Sequence, residues 1–251
     1  MTEFTDNEIE RYARQIIMPE IGGAGQQKLR DASVALVGAG GLGCPCALYL
    51  AGAGVGHIAL IDDDEVALSN LHRQVLHGTA DLGRAKVDSA SQALTRLNPD
   101  IEIAPQNTRL TIDNIDRLLG SKDLVIDGSD NSETRYLTAD FCAQRKIPLI
   151  TGSLYRFEGN VTVIAPWLGP DGLAGVSPSY RDIFPQRAAA NIAPDCAIAG
   201  VLGPAAGVIG SLQAVEAIKL IAGIGAPLIA RMVHFDALHG SFHIFDTAVR
   251  S

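Results

Sequence analysis

The feature that most constrains this chain is a glycine-rich turn placed directly after a short apolar strand. Residues 34–37 read Val-Ala-Leu-Val, and the next six residues form a Gly-x-Gly-x-x-Gly pattern. Glycines let the backbone turn tightly and approach a phosphate, while the following helix directs its free N–H groups and positive dipole end toward that phosphate. The pattern predicts a nucleotide-binding loop formed by Gly38, Gly40, Gly41 and Gly43, although a turn without a ligand has the same signature.

A second strand ends in a run of acidic residues at the distance that a nucleotide-binding βαβ unit requires. Residues 57–61 are mostly apolar and lead into Asp62, Asp63, Asp64 and Glu65. In this fold, an acid about twenty residues past the glycines holds a ribose hydroxyl. Asp62 is the candidate, with Asp64 beside it, and helix capping or solvation is the simpler alternative. The strand, glycines and acid together favour nucleotide binding without identifying the nucleotide.

Composition limits the classes of partner. The 251 residues are 47% hydrophobic, which is enough for one sizeable core, and the net charge is −8. Nucleic acids and anionic membranes attract clustered Lys and Arg, so we expect neither as a partner. The polar N-terminus predicts no signal peptide and a cytoplasmic protein. The scattered cysteines lack a C-x-x-C pair and predict reduced thiols rather than a zinc site.

Alternating strands and helices predict a Rossmann-like, doubly wound α/β fold. Helices are expected over 84–97, 112–119 and 133–145, and strands over 101–103, 124–126 and 148–150. Further on, 160–164 and the pair 232–235 and 242–245 read as antiparallel strands that extend the parallel part. Residues 200–222 predict an apolar helix, and its Gln213, Glu216 and Lys219 are expected on a solvated face.

We therefore expect one domain over 1–251, with a nucleotide-binding part over 1–151 and a mixed-sheet part over 152–251. Residues 167–195 are rich in Gly, Pro, Ser and Ala, and a long segment of this kind in a compact domain is typically functional or mobile.

Three further polar residues favour a triphosphate over a dinucleotide. A dehydrogenase would use the glycines and Asp62 but would leave Arg73, Lys86 and Asp130 without a role. A triphosphate uses all of them, because cations balance phosphate charge and a carboxylate at a strand end can hold Mg²⁺.

The order of these motifs along essentially the whole chain resembles the MoeB/ThiF/HesA family, the bacterial relatives of the ubiquitin-activating enzymes. Residues 156–163 are most similar to the MoeB branch. The resemblance rests on the arginines of 11–16, the glycines of 38–43 and 51–56, Asp62 with Asp64, the Leu-Ser-Asn-Leu-x-Arg-Gln run at 68–74, Lys86, Asp130 with Asn131, and the helix at 210–220.

This resemblance implies an adenylyltransferase that uses ATP and Mg²⁺ on a ubiquitin-like sulfur carrier of the MoaD or ThiS type ending in Gly-Gly. The carrier's carboxylate would attack the α-phosphate, giving an acyl-adenylate and pyrophosphate for sulfur transfer in cofactor biosynthesis. By position, the resemblance assigns phosphate binding to the loop around Gly41 and to Ser69, Asn70, Arg73 and Lys86. It assigns ribose binding to Asp62, and Mg²⁺ binding to Asp130 with Asn131 beside it. In a homodimer, Arg14 would reach the triphosphate of the other subunit.

Two features depart from the family pattern. Members commonly carry zinc on two C-x-x-C pairs, but the first region here reads Ser179-Tyr180-Arg181-Asp182 and no cysteine lies near Ser251. We therefore expect a zinc-less variant that holds this corner together by packing. We also expect no C-terminal rhodanese domain, and therefore a separate sulfur donor.

Cys196 lies where some family members have a cysteine that bonds to the carrier. A lone cysteine before a buried helix also suits simple packing, whereas exposure at a helix N-terminus would lower its pKa. Two alternatives to carrier activation stay open: adenylation of a peptide or small-molecule carboxylate in a specialised pathway, and a non-catalytic scaffold that binds nucleotide or carrier.

Overall fold

The computed structural model describes residues 3–185 and 200–247. Eight strands form one sheet in the order β3-β2-β1-β4-β5-β6-β7-β8. Their bounds are β1 Ser33–Val37, β2 His57–Asp62, β3 Glu102–Asn107, β4 Leu124–Asp127, β5 Leu149–Tyr155, β6 Glu158–Ile164, β7 Arg231–Asp236 and β8 Ser241–Asp246.

Helices cover both faces of the parallel part of the sheet. The described helices are α1 Asp6–Ile16, α2 Gly22–Asp31, α3 Gly43–Ala53, α4 Lys86–Leu97, α5 Ile115–Leu119, α6 Ser132–Arg145, α7 Tyr180–Ile183 and α8 Gly203–Ala222. One core lies between the sheet and α2, α3, α4 and α8, and a second lies between the sheet and α5, α6 and α7. Burial on both sides explains why the central strands read as continuous apolar runs.

The sheet is mixed, as the sequence predicts. Strands β1 to β5 pair in parallel, whereas β5–β6, β6–β7 and β7–β8 pair antiparallel. Residues of β6 alternate in burial less than expected, because Val161 to Ile164 are all buried, while β8 is exposed along nearly its whole length. The predicted fold class is confirmed: a doubly wound parallel sheet extended by antiparallel strands.

Several elements differ from the sequence-based expectation. Helix α2 was not predicted, because its Gly-rich sequence has low helix propensity and no side-chain cap. Helix α5 begins at Ile115 rather than 112, after Asn114 accepts a hydrogen bond from the Thr111 N–H at 2.8 Å. Strand β5 runs to Tyr155, five residues beyond the predicted end, because it pairs with β6 along its full length.

The prediction of a solvated face on α8 is wrong for two of its three residues. Gln213 is fully buried and Glu216 is nearly so. The Gln213 amide donates to the Asp127 carbonyl at 2.8 Å, and Glu216 accepts the Leu228 N–H at 2.8 Å. Within the described ranges, α8 is the one helix long and apolar enough to cross a membrane, but it packs against α3, β5 and β6 as a core helix.

Candidate nucleotide site

A cavity of about 680 Å³ opens at the carboxyl ends of the parallel strands. It lies where β1 is flanked by β2 on one side and β4 on the other. The chain leaves β1 for α3 on one face and leaves β4 for α6 on the other, so the two loops diverge and leave a crevice. Doubly wound sheets bind ligands at such switch points.

The glycine loop forms one wall of the cavity. Gly38 has φ +95°, and a Cβ there would lie 3.0 Å from the Gly128 backbone. A Cβ on Gly43 would lie 1.9 Å from the Gly38 carbonyl oxygen. Gly38, Gly40 and Gly41 line the cavity, whereas Gly43 packs behind it as the first residue of α3. No side chain caps α3. The Cys44 N–H donates to the Gly40 carbonyl at 2.9 Å and Pro45 has no N–H, so Gly43 has the one N–H of the first three helix residues that is left for a ligand.

The acid at the end of β2 is held by main-chain donors. Asp62 accepts the Ala39 N–H at 2.7 Å and the Asp64 N–H at 2.9 Å, and it lines the cavity. Burial raises the pKa of Asp62 against the opposing effects of Lys86 and the two N–H groups. Each carboxylate oxygen has a second lone pair, so Asp62 can still accept a bond from a ligand hydroxyl.

Lys86 is the buried cation of the site. It opens α4, its side chain is 5% exposed, and its Nζ lies 2.6 Å from Asp64 Oδ2. The Asp64 side chain is 68% exposed, so one partner of the ion pair is buried and the other is accessible to solvent. A ligand anion can therefore compete with Asp64 for an ammonium that is already fixed in place.

Arg73 is oriented by its own loop. Its guanidinium donates to Asn70 Oδ1 at 2.8 Å, lies 2.9 Å from His72 Nε2 and contacts the Ser69 carbonyl at 3.4 Å. Arg73 lines the cavity, but Ser69 and Asn70 do not. These two predicted phosphate ligands thus lie behind Arg73 and hold it.

The end of β4 supplies the opposite wall. Asp127 is fully buried and accepts both the N–H and the hydroxyl of Ser129, at 2.9 and 2.6 Å. Asp130 follows as an exposed carboxylate in the cavity, and Asn131 caps α6 by accepting the Thr134 N–H at 2.8 Å. The hydrogen bonds of Asp127 and Asn131 therefore fix the backbone on both sides of Asp130.

Sequence reasoning gave no role to several polar residues that line this cavity, among them Gln74, Arg109 and Arg135. Arg135 donates to the Ser129 carbonyl at 2.6 Å, and its position one helical turn after Asn131 was a usable signal. Gln74 is 4% exposed, and its Oε1 has no hydrogen-bond partner among the described residues. A buried acceptor without a partner is costly, which suits a site completed by a ligand.

Other predicted residues lie elsewhere. Arg14 is exposed on α1, outside the cavity. Cys196 and the end of the predicted 167–195 segment fall outside the described residues. Cys44 and Cys46 are fully buried, and burial raises the pKa of the Cys44 thiol to about 12.

The first region where relatives would carry zinc ligands has a different donor set. Ser179 and Asp182 bond to each other as a capping box around α7, and Arg181 pairs with Asp140 at 2.7 Å. These groups are not the Cys and His ligands that a structural zinc requires, and their polar atoms are already engaged.

Comparison with known proteins places the chain in a family. Residues 12–251 match the ThiF family. The chain is 49% identical over 242 residues to an "Adenylyltransferase and sulfurtransferase MOCS3" of Culex quinquefasciatus, covering 96% of this chain and 53% of that protein. It is 43% identical over 235 residues to the "SAMP-activating enzyme E1" of Haloferax volcanii, covering 94% of this chain and 84% of that protein.

This chain thus spans about half the length of the MOCS3 relatives. Among solved structures, the fold is similar to PaaA, with TM-score 0.81 and 23% identity over 100% of this chain and 76% of that one. It is also similar to E. coli MccB with ATP, with TM-score 0.78 and 22% identity over 95% and 71% of the two chains. The motifs, the switch-point cavity and these matches agree, and the chain belongs to the ThiF family.

Proposed function

We propose that this protein uses ATP to adenylate the C-terminal glycine carboxylate of a ubiquitin-like sulfur carrier of the MoaD or ThiS type. The observation that carries the proposal is the convergence of Arg73, Lys86 and Asp130 on one cavity beside an uncapped helix N-terminus. The names of the relatives support it, since they describe adenylyltransferases and a SAMP-activating enzyme.

The charge of the cavity supports a metal-bound triphosphate. Its lining has four cationic and five acidic side chains: Arg73, Lys86, Arg109 and Arg135 against Asp62, Asp63, Asp64, Asp130 and Glu158. A triphosphate adds several negative charges, which this lining alone does not balance. The Asp130 carboxylate is a hard oxygen ligand of the kind Mg²⁺ prefers, so Asp130 would hold the ion with Asn131 beside it. When bound, Mg²⁺ would neutralise phosphate charge.

The protein's own residues bind and orient the reactants. Asp62 accepts a ribose hydroxyl, the loop around Gly41 and the Gly43 N–H at the start of α3 bind phosphate, and Lys86 leaves Asp64 for a phosphate oxygen. Arg73, held by Asn70, stabilises the charge that develops on the triphosphate. These side chains act by alignment and charge, because the substrate supplies its own nucleophile.

The reaction is a displacement at the α-phosphorus. A carboxylate oxygen of the carrier forms a bond to that phosphorus, and the bond between it and the bridging oxygen of the β-phosphate breaks. The electron pair leaves with pyrophosphate, and the acyl-adenylate remains. No side chain needs to form a covalent bond in this step.

The cavity also offers a path for an extended carrier tail. From Asp130 it continues along the antiparallel part of the sheet, past Ser153 and Tyr155 of β5 and Glu158 and Asn160 of β6. A tail on this path would bring its terminal carboxylate to the phosphate end of the site. We assign carrier binding to the 152–251 part of a single 1–251 domain, and nucleotide binding to 1–151.

The remaining parts of the proposal concern partners. We propose a homodimer in which Arg14 reaches the triphosphate of the other subunit, a separate sulfur donor, and a cytoplasmic setting without nucleic acid or membrane. Cys196 is the candidate for a covalent bond to the carrier. The pathway served is molybdopterin, thiamine or another sulfur-containing cofactor.

ATP–pyrophosphate exchange tests the function. Labelled pyrophosphate should enter ATP only when a carrier ending in Gly-Gly is supplied, because the carboxylate is the nucleophile. The matched control is the same carrier without its last glycine. Failure with every plausible carrier of the same genome, at saturating Mg-ATP, would contradict the proposal; exchange with a peptide or small carboxylate instead would identify the alternative substrate.

Asp130→Ala should lower exchange about 100-fold or more, as expected when a charge-stabilising group is lost. Asp113→Ala, an exposed acid outside the cavity, is the matched control and should retain full activity. Normal exchange in Asp130→Ala would remove Asp130 from the metal assignment.

A further inference from the structure

A buried polar cluster lies directly behind the glycine loop, and none of its members has a role in the proposed chemistry. His77, Ser89 and Cys44 are 8%, 2% and 0% exposed. His77 Nε2 lies 3.1 Å from the Ala39 carbonyl oxygen, and His77 Nδ1 lies 2.9 Å from Ser89 Oγ. The cluster therefore contacts the loop from the side opposite the cavity.

The partners of His77 determine its tautomer. A carbonyl oxygen only accepts, so Nε2 carries the hydrogen and donates to Ala39. Nδ1 is then an acceptor, and the Ser89 hydroxyl donates to it. Burial lowers the pKa of His77, and the nearby Lys86 charge acts in the same direction. With Nδ1 accepting, the ring has one defined donor, Nε2–H.

Ala39 is fixed on both sides. Its N–H donates to Asp62 at 2.7 Å, and its carbonyl accepts from His77 and, at 3.3 Å, from the Cys44 thiol. In a trans peptide, the carbonyl of one residue and the N–H of the next point in opposite directions. Because the Ala39 carbonyl points back into the protein, the Gly40 N–H points toward the cavity that Gly40 lines.

We propose that His77 is a positioning residue for the phosphate-binding loop, which donates through Nε2–H to the Ala39 carbonyl and so keeps the Gly40 N–H directed at the nucleotide phosphates. The proposal rests on the nucleotide site of the proposed function. Without this bond, only the weak Cys44 thiol donor holds the Ala39 carbonyl, and a carbonyl turned into the cavity would repel phosphate.

The position of His77 along the chain gives the bond a second consequence. His77 follows Arg73 by four residues, and its N–H donates to the Gln74 carbonyl at 3.1 Å. The imidazole thus connects the segment that carries Arg73 to the loop that carries Gly40. One side chain therefore holds the Arg73 segment and the Gly40 loop in a fixed position relative to each other.

Nucleotide binding without any carrier tests the proposal. His77→Leu should weaken ATP binding about tenfold or more, as expected for a lost, oriented donor, while adenosine binding should change less than about twofold because it lacks phosphates. His77→Gln, which keeps an N–H donor at a similar distance along the side chain, should restore most of the ATP affinity. Calorimetric titration measures all three.

Two further variants keep the test decisive if His77→Leu fails to fold. Ser89→Ala removes the donor that fixes the tautomer, so it should weaken ATP but not adenosine binding. Cys44→Ala removes only a weak thiol donor and should bind ATP as the unmodified protein does. Unchanged ATP binding, or equal losses for ATP and adenosine, in His77→Leu or in Ser89→Ala would overturn the proposal. Since no carrier is present, a wrong carrier assignment would not affect this result.

Discussion

Two glycines of α3 differ in why a side chain is missing. One is required by close packing, whereas the other only lowers the helix propensity of its position. At Gly43 a Cβ would lie 1.9 Å from the Gly38 carbonyl oxygen, whereas at Gly52 it would meet nothing within 4 Å. The sequence predicts Gly43 as a nucleotide ligand, but the contact shows that its missing side chain lets α3 start against the loop. We propose that Gly43 affects nucleotide binding through its contact with Gly38.

Gly43→Ala should destabilise the fold by about 1–3 kcal/mol, the cost of overpacking a site that cannot relax. Gly52→Ala in the same helix should be neutral or stabilise by up to about 1 kcal/mol, because alanine favours a helix over glycine. Urea unfolding of both variants measures the difference. Equal stability of the two would show that the loop yields easily and that the tight contact carries no cost.

Sequence identifies site residues when they stand next to a strand end or a helix start. Asp62 ends β2, Lys86 opens α4 and Asp130 follows β4, so the fold class alone gathers them at one edge. Gln74 and Ser69 could not be sorted in this way. Both lie in one polar loop, and only tertiary packing decides that Gln74 lines the cavity while Ser69 contacts Arg73.

The short helix α7 lies where the family pattern commonly has its first zinc-binding pair. Tyr180 is buried and makes an edge-to-face contact with Tyr136 at 5.1 Å, and its ring centroid lies 4.8 Å from that of Phe184. The Tyr136 hydroxyl donates to the Phe184 carbonyl at 2.7 Å. Aromatic packing against α6 therefore anchors the start of the segment that leads toward 186–199.

Tyr180→Ala should destabilise this corner by about 2–4 kcal/mol, because it removes a buried aromatic ring. Arg181→Met should change stability little, since Arg181 and Asp140 are about half exposed and such pairs are screened by water. Limited proteolysis and urea unfolding compare the two. A larger effect from Arg181→Met would mean that the Arg181 side chain, through Asp140 and the Tyr136 ring 5.0 Å away, contributes more than the Tyr180 ring to holding α7.

The residues at 179–182 also lead to a prediction about zinc. With the tag removed, the purified protein should contain no stoichiometric zinc, and a chelator should leave its unfolding midpoint unchanged, because Ser179 to Asp182 offer no thiolate or imidazole ligands. Elemental analysis decides this. One zinc per chain would show that ligands outside this corner converge on an ion.

Element prediction fails where tertiary pairing decides the outcome. Helix α2 has little intrinsic preference for its state and is stabilised by burial of Leu29 and Gln26, whose amide donates to the Ala53 carbonyl at 2.9 Å. Gln213 and Glu216 are polar residues in an apolar helix, so the sequence predicts them on its solvated face. In the structure each is buried and hydrogen-bonded to a backbone group distant along the chain. Local periodicity contains no information about such partners.

At the scale of the whole molecule, the docking of α1 bears on how many chains build a site. Tyr12 of α1 packs on Gly54, and Gln15 donates to the Ala53 carbonyl at 3.0 Å. Both contacts lie at the end of α3 opposite Gly43. An eleven-residue helix is about 16 Å long, so these two contacts lie about that far along α3 from the glycine loop.

The two arginines of α1 differ in their own chain. Arg11 donates to the Leu97 carbonyl at 3.1 Å and pairs with Asp100 at 3.4 Å. The Arg14 side chain is exposed and makes no hydrogen bond or ion pair within residues 3–185 and 200–247. An exposed, unpaired guanidinium on a rigid helix is suited to a neighbouring subunit, which motivates the proposal that Arg14 acts across a dimer.

Mixing two inactive variants tests that proposal. Arg14→Ala should lose exchange activity because a guanidinium directed at a desolvated triphosphate contributes far more than a solvated surface charge, and Asp130→Ala should lose it because the proposed metal ligand is gone. In a mixed dimer, one site has both defects, while the other combines an intact Asp130 with the partner's Arg14. Random pairing of equal amounts in a twofold dimer should restore about a quarter of the normal exchange rate.

Arg11→Ala is the matched control. Arg11 is engaged within its own chain, so this variant should keep its exchange activity without being mixed with another variant. Co-refolding followed by native mass spectrometry establishes that mixed dimers have formed. If they form and activity stays absent, Arg14 acts within its own chain or the two sites depend on each other. Recovery when Arg14→Ala is mixed with Asp130→Ala would establish a site built from two subunits, because no single chain in that mixture carries both residues.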